Sequence, residues 1–330
     1  MSRVVAIFFL LGISNIFSQH TFSIVAVDTI TGEIGSAGAT CGDSIIWPGT
    51  AGAYIISDIL PGVGAIHTQA LWIASNQVNA RIQMQQGSSP NQIISWLVAH
   101  DVQNNPQSRQ YGIVDYQNGS SQSAAFTGTS CYDYKNHILG PNYAIQGNIL
   151  LGQQILDSME YYFLNTSGCL PEKLMAAMNG AKVVGADTRC MVEGTSSLSA
   201  FLRMALPTDS YNNLFLDINV AGTAPNVEPI DVLENKYNLW KNSHISYCDS
   251  VSNTKITPRK EIEIHPNPTN DLITISNIEE AKSIELFSLN GQFLETVKSN
   301  NVSLRNYSKG IYILKVTFED SVKEIKVIKN

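Results

Sequence analysis

Directly behind an apolar leader, the chain reads Thr21-Phe22-Ser23-Ile24-Val25-Ala26-Val27-Asp28, a strand-like run that opens on a hydroxyl residue. A threonine that heads a mature chain carries a nucleophile and, in its own α-amine, a base with a pKa of roughly 7.7 to 8.0. An internal threonine has no such partner. Ser23 is the second hydroxyl of the run, and side-chain alternation places it on the same strand face as Thr21. The chemistry open to Thr21 is acyl transfer, and it requires a cut ahead of that residue.

Met1 to Gln19 has Arg3 near its start and an apolar run from Val4 to Phe17, interrupted by Gly12, Ser14 and Asn15. This is the pattern of a signal peptide. The run falls short of the about 20 apolar residues that a spanning helix needs, so the mature protein is expected outside the cytoplasm and without a membrane span. Small Ser18 suits the position before the cut, which would leave Gln19 and His20 ahead of Thr21. A free Thr21 amine then needs a cut after His20, or self-trimming.

Cys41, Cys131, Cys169, Cys190 and Cys248 form no close metal-type pair, and no His-Glu-x-x-His run is present. No metal and no cofactor are expected. An oxidising compartment makes disulfides the default, with one cysteine left unpaired in a monomer; the expected pairs are Cys169 with Cys190 and Cys41 with Cys131. His67, His100 and His137 are dispersed and read as core or surface residues. A net charge of −7 with 15% charged residues argues against nucleic acid as a partner. P-loop and nucleophile-elbow motifs do not occur.

The elements that must position these residues alternate in blocks. Strands are expected over Phe22–Val27, Ile34–Thr40, Ala53–Ile59 and Gly64–Thr68. A helix then runs from Ala70 to Gln86, and a second is capped by Ser89 with Pro90 at its first position. Tyr111–Val114 and Ala124–Thr127 flank Asn118-Gly119, a hairpin signal. Helices Ile149–Leu164 and Pro171–Val184 follow, then strands Ser199–Leu206 and Leu214–Val220, and a helix Ile230–Trp240. Separate runs of strands and helices predict an α+β fold with antiparallel sheets. Polar, aperiodic residues 243–260 read as a linker, and the short strands after it as a small β-sandwich. The expected organisation is a leader at 1–19, a main domain at 20–242, the linker at 243–260 and a C-terminal sandwich at 261–330.

His265-Pro266-Asn267-Pro268-Thr269-Asn270-Asp271, Ile284-Glu285-Leu286-Phe287-Ser288-Leu289-Asn290-Gly291-Gln292 and Gly310-Ile311-Tyr312-Ile313-Leu314-Lys315-Val316 resemble the type A C-terminal sorting domain of the type IX (Por) secretion system. The resemblance implies an immunoglobulin-like all-β sandwich, the type IX secretion machinery as partner, and export by a Bacteroidetes bacterium to the medium or cell surface.

Thr21-Phe22-Ser23-Ile24-Val25-Ala26, Gly32-Glu33-Ile34-Gly35, Gly62-Val63-Gly64-Ala65 with Thr68-Gln69-Ala70, Ala125-Phe126-Thr127-Gly128, Gln146-Gly147-Asn148-Ile149-Leu150 and Gly185-Ala186-Asp187 resemble the domain of unknown function 1028 family, assigned to the N-terminal-nucleophile (Ntn) hydrolases. The resemblance implies a four-layer αββα sandwich and amide cleavage of a small or peptide-like substrate, with Thr21 as nucleophile and Ser23 as runner-up. Thr68 and Gln69, at a strand end, are candidate oxyanion or substrate donors or else a helix cap. Asn148 has the same two readings. Asp187 with Arg189 either orients the nucleophile or binds substrate, or else forms a local ion pair in a loop. Many threonine-type relatives keep a lysine beside the nucleophile, yet no lysine or arginine lies between Thr21 and Leu71, so positive potential must come from elsewhere. The alternative is a catalytically inactive surface binding module of the same fold. The oligomeric state is left open.

Overall fold

The computed structural model describes residues 17–19, 21–44, 51–244, 247–248, 262–278, 281–318 and 322–330. The chain divides into two compact units, Met1–Asn253 and Thr254–Asn330.

In chain order the first unit contains β1 (Phe17–Gln19), β2 (Thr21–Val27), β3 (Ile34–Thr40), β4 (Ser57–Leu60), β5 (Gly64–Trp72), α1 (Ala74–Gln85) and α2 (Pro90–Ala99). These are followed by β6 (Arg109–Gln117), β7 (Ser120–Thr127), β8 (Asn136–Gly140), β9 (Tyr143–Gly147), α3 (Gln153–Asn165), α4 (Leu170–Gly180), β10 (Ser199–Ala205), β11 (Leu216–Val220) and α5 (Pro229–Ser243). Two antiparallel sheets result. One is 6-stranded in the order β11-β10-β3-β2-β9-β8; the other is 5-stranded in the order β1-β5-β6-β7, with β4 also on β5.

Period-2 patterning decides what each sheet face covers. Phe22, Ile24 and Ala26 of β2 join Ile145, Leu202 and the apolar stripes of α3, α4 and α5 in one core. Val25 and Val27, one residue out of phase, meet Ile59, Ala65 and Val114 of the second sheet in another. Ile66 and Ile113 turn the other way, onto Met84 of α1 and Ile93 and Leu97 of α2. Each sheet therefore carries helices on one face and the other sheet on its second face. Ser89 caps α2 in a reciprocal capping box with Gln92, and Pro90 opens the helix.

Several expectations need correction. Gly52–Ile56 is a 3-10 turn and the strand begins only at Ser57. Thr68 and Gln69 lie well inside β5, which continues to Trp72, and the helix starts at Ala74. Strands β8 and β9 were not foreseen; β9 lies directly beside β2. Cysteine pairing also differs: Cys41 bonds Cys190, Cys169 bonds Cys248, and Cys131 is free and buried. Neither expected pair forms. Cys131 is drawn instead to the β6 backbone, its Sγ donating to the Arg109 carbonyl at 3.2 Å.

The second unit is all β: β12 (Glu263–His265), β13 (Leu272–Ser276), β14 (Ser283–Ser288), β15 (Phe293–Thr296), β16 (Asn301–Ser303), β17 (Gly310–Thr317) and β18 (Val322–Lys329). They form a 3-stranded sheet, β12-β13-β16, and a 4-stranded sheet, β15-β14-β17-β18. Ile273, Ile275, Leu286, Val302, Leu314 and Val316 make a common core. The linker residues 249–261 lie outside the described residues.

Candidate functional site

Polar side chains gather between the two sheets at the end where β2 begins. Thr21 and Ser23 point inward from β2, His67 and Gln69 from β5, Gln110 from β6 and Gln146 from β9, and all of them are buried. Ser23 Oγ donates to Gln69 Oε1 at 2.7 Å, accepts from Gln146 Nε2 at 2.6 Å and lies 2.9 Å from His67 Nδ1. The opposite ring nitrogen, His67 Nε2, lies 2.5 Å from Ser36 Oγ, and Ser36 lies 2.8 Å from Ser57 Oγ. Gln146 Nε2 lies 3.1 Å from Nδ1, a contact that suits the tautomer with its ring proton on Nε2, toward Ser36.

Burial first, and the Arg203 charge second, push the His67 pKa down to about 3. The ring is neutral at any physiological pH. Arg203 closes this hydroxyl chain by donating to the Ser57 carbonyl at 3.1 Å and pairing with Asp217. Small residues make room for the network. A Cβ on Gly112 would fall 1.8 Å from Gln146 Oε1, and one on Gly38 would fall 2.9 Å from Ser23 Cβ.

A second set of amides holds the first residue of β2. The Asn148 backbone N–H donates to the Thr21 carbonyl at 3.1 Å, and Gln69 Nε2 donates to the same oxygen at 3.3 Å. Gln69 Nε2 and Asn148 Nδ2 both donate to Gln110 Oε1, at 2.7 and 2.9 Å. Gln110 Nε2 in turn donates to the Gly147 carbonyl at 2.8 Å. Ala70 and Ile149, each directly after one of these amide residues, have φ of +69° and +56°. A β-branched residue in that region is strained unless its surroundings impose it. The backbone thus turns left-handed directly after Gln69 and Asn148, the two residues that donate to the Thr21 carbonyl.

Asp187 and Arg189 arrive from the other side. They form a two-point ion pair, with Arg189 Nε 3.0 Å from Asp187 Oδ1 and Nη2 2.6 Å from Oδ2. Asp187 also accepts the Cys41 backbone N–H at 3.0 Å, and Arg189 Nη2 donates to Thr40 Oγ1 at 3.3 Å. Thr40 is the β3 partner of Thr21. The Cys41–Cys190 bridge ties the end of β3 to the short segment that carries this pair. Asp187 and Arg189 thus form a local ion pair that also neighbours the start of β2, through Thr40.

Six of the seven residues singled out from sequence converge here. Thr68 does not: alternation on β5 turns it to the helix-bearing face, opposite Tyr111 in register, and its buried hydroxyl has no hydrogen-bond partner among the described residues. Asn148 is not a helix cap, since α3 starts at Gln153 behind Gly152. Ser23 is fully buried within its hydrogen bonds and sits inside the chain, so it has no amine of its own. His67, Ser36, Gln110 and Gln146 were missed. The available signal was polar residues recurring at every second position of otherwise apolar strands. Within the expected disulfide set, Cys41 and Cys190 lie at the site, and Cys169 and Cys131 do not.

Beside the network lies a cavity of about 490 Å³ lined by Tyr54, Ile55, Trp72, Gln77, Arg81 and Arg203, among others. Its guanidinium groups stack on tyrosines, Arg203 over Tyr54 at 4.2 Å and Arg81 over Tyr211 at 4.8 Å.

Residues 21–228 match the profile of a family of unknown function, DUF1028. A crystal structure of a DUF1028 protein from Silicibacter pomeroyi superposes with a TM-score of 0.54 at 22% identity, covering 67% of this chain and 89% of that one. No match was found among curated proteins. Residues 263–330 match the secretion system C-terminal sorting domain. The chain is accordingly directed to secretion or the cell surface, through the type IX secretion machinery.

Proposed function

The chain belongs to the family of unknown function 1028, and from that premise we propose that it is a secreted N-terminal-nucleophile hydrolase that cleaves amide bonds once it has been cut ahead of Thr21. The observation that carries this reading is the clamp on Thr21. Its carbonyl is held by two donors, from β5 and from the segment after β9, at the start of a central strand. The family match opens at the same residue. Helices, two facing sheets and helices again, in the main unit, agree with the αββα layering of Ntn hydrolases.

In this mechanism the Thr21 hydroxyl attacks the substrate carbonyl, and its proton passes to the neutral α-amine. The amine then gives that proton to the departing nitrogen as the C–N bond breaks, leaving an ester on Thr21 Oγ. Water attacks the ester, gives its proton to the same amine, and restores the hydroxyl as the acid leaves. Gln69 and Asn148 act as positioning residues, because donors of both are spent on the Thr21 carbonyl and Gln110. Arg189, bonded to Thr40 beside Thr21, supplies positive potential for the developing oxyanion.

The test is the mature N-terminus and its reactivity. Mass spectrometry of secreted protein should give a chain beginning at Thr21, and an activated acyl probe should leave a hydroxylamine-sensitive ester on that residue. A stable start at Gln19, with no ester formed, would favour the alternative, an inactive surface binding module.

A further inference from the structure

The β5 edge that faces away from β6 is covered in two stretches. β4 pairs with Gly64 to His67, while β1 pairs with Ala70 to Trp72, Ser18 lying opposite Leu71. β1 runs antiparallel to β5, so its chain advances along this edge toward the place where Thr21 starts β2 in the other sheet. The segment just upstream of the nucleophile is therefore laid out as an added strand.

A cut ahead of Thr21 removes the covalent tie that keeps β1 there. Three residues of strand pairing supply only a few hydrogen bonds, each of small net worth in water, whereas holding a separate peptide costs it translational and rotational freedom. The released segment exchanges away, and a short row of backbone donors and acceptors opens beside Thr21. Such a row is a template for another strand. At its far end, Trp72 lines the cavity of about 490 Å³, and its buried indole N–H has no partner among the described residues.

We infer that in the cut protein the Ala70–Trp72 edge binds the acyl side of the substrate, and that this substrate is an extended peptide lying antiparallel to β5 with its C-terminal carbonyl at Thr21. The place vacated by β1 is the place the peptide takes. The cavity lined by Trp72 receives a side chain several residues before the scissile bond, and the indole N–H gives that subsite a preference for a hydrogen-bond acceptor. This rests on the N-terminal-nucleophile reading of Thr21.

The experiment uses the chain beginning at Thr21 and the synthetic hexapeptide Asn-Ile-Phe-Ser-Gln-His, the sequence of residues 15–20. Amide hydrogen exchange at residues 70–72 should slow when the peptide is added. Single backbone N-methylations along the peptide should weaken binding about five- to tenfold at alternate positions and leave the intervening ones within about twofold, since a strand turns every second N–H toward its neighbour. Absence of protection at 70–72, or a uniform loss without alternation, overturns the inference. Binding is read without turnover, so the two readings fail separately: a protein that binds the peptide but forms no ester loses only the hydrolase reading. One that forms the ester but ignores the peptide loses only this inference. In the uncut chain, Ser18→Pro should speed exchange at 70–72 while sparing 64–67; unchanged exchange there likewise counts against it.

Discussion

The space between the two sheets of the main unit has two ends, built by the same strands and opposite in character. At one end Val25, Val27, Ile34, Ile59, Ala65, Val114 and Ala144 form a dry apolar cluster. At the other, Thr21, Ser23, Ser36, His67, Gln69, Gln110 and Gln146 are equally buried and all polar. β2 passes from Thr21 and Ser23 to Val25 and Val27, and β5 passes from Ala65 to His67 and Gln69. Apolar burial contributes about 25 cal/mol per Å², whereas each polar group taken from water must recover its lost hydrogen bonds or cost about 1–3 kcal/mol. The apolar end holds the sheets together. The polar end contributes little net stability and fixes atoms in place, which is what a site at Thr21 requires.

The sharpest way to break this contrast is Thr21→Ala in the chain that begins at residue 21. Acylation by the probe should fall at least about a thousandfold, as expected when a nucleophile is deleted, with the thermal unfolding midpoint nearly unchanged. Ile34→Ala at the apolar end should do the reverse, lowering stability by about 2–5 kcal/mol in urea unfolding with little effect on acylation of the folded fraction.

His67 tests the polar end through pH. Its folded pKa of about 3 lies below the ordinary 6.5, so its contribution is fully present above pH 6.5 and is lost as pH falls toward 3. Between pH 7 and 5 the native protein should lose about 2 kcal/mol more than His67→Gln does, measured as the difference in urea midpoints; equal losses would place His67 in contact with water. The smallest effect is expected for Gln146→Leu. It removes a donor from Ser23 and His67 and should cost about 1 kcal/mol, with acylation down about tenfold through displacement of β2. A larger stability loss than that of Ile34→Ala would reverse the assignment of the two ends.

Much of the fold was legible because period-2 and period-3.6 patterns report burial directly. β2 and β3 fall where strands are expected from the sequence, and Asn118-Gly119 turns β6 into β7. β8 and β9 escaped because Asn136–Gly140 is only half-buried and Gln146 interrupts the apolar run of Tyr143–Gly147. The 3-10 turn at Gly52–Ile56 escaped because a short apolar run reads equally as strand. Both cysteine pairs were misjudged because bridge formation depends on Cα atoms about 5.6 and 5.2 Å apart, with sequence separations of 149 and 79. Linear spacing carries no such distance.

By itself the sequence determined that a hydroxyl residue opens a strand close behind an apolar leader, that strands and helices come in blocks, and that the last 70 or so residues form an all-β sorting module. These are local properties, written in hydrophobic period, turn residues and motif spacing. Only the tertiary structure decided that Gln69 and Asn148 meet at the Thr21 carbonyl with Gln110 accepting from both, that Arg189 reaches Thr40, that Thr68 faces away, and that residues 17–19 lie on the edge of β5. Each depends on the register between strands distant in sequence, where a slip of one residue would turn every inward side chain to the opposite face.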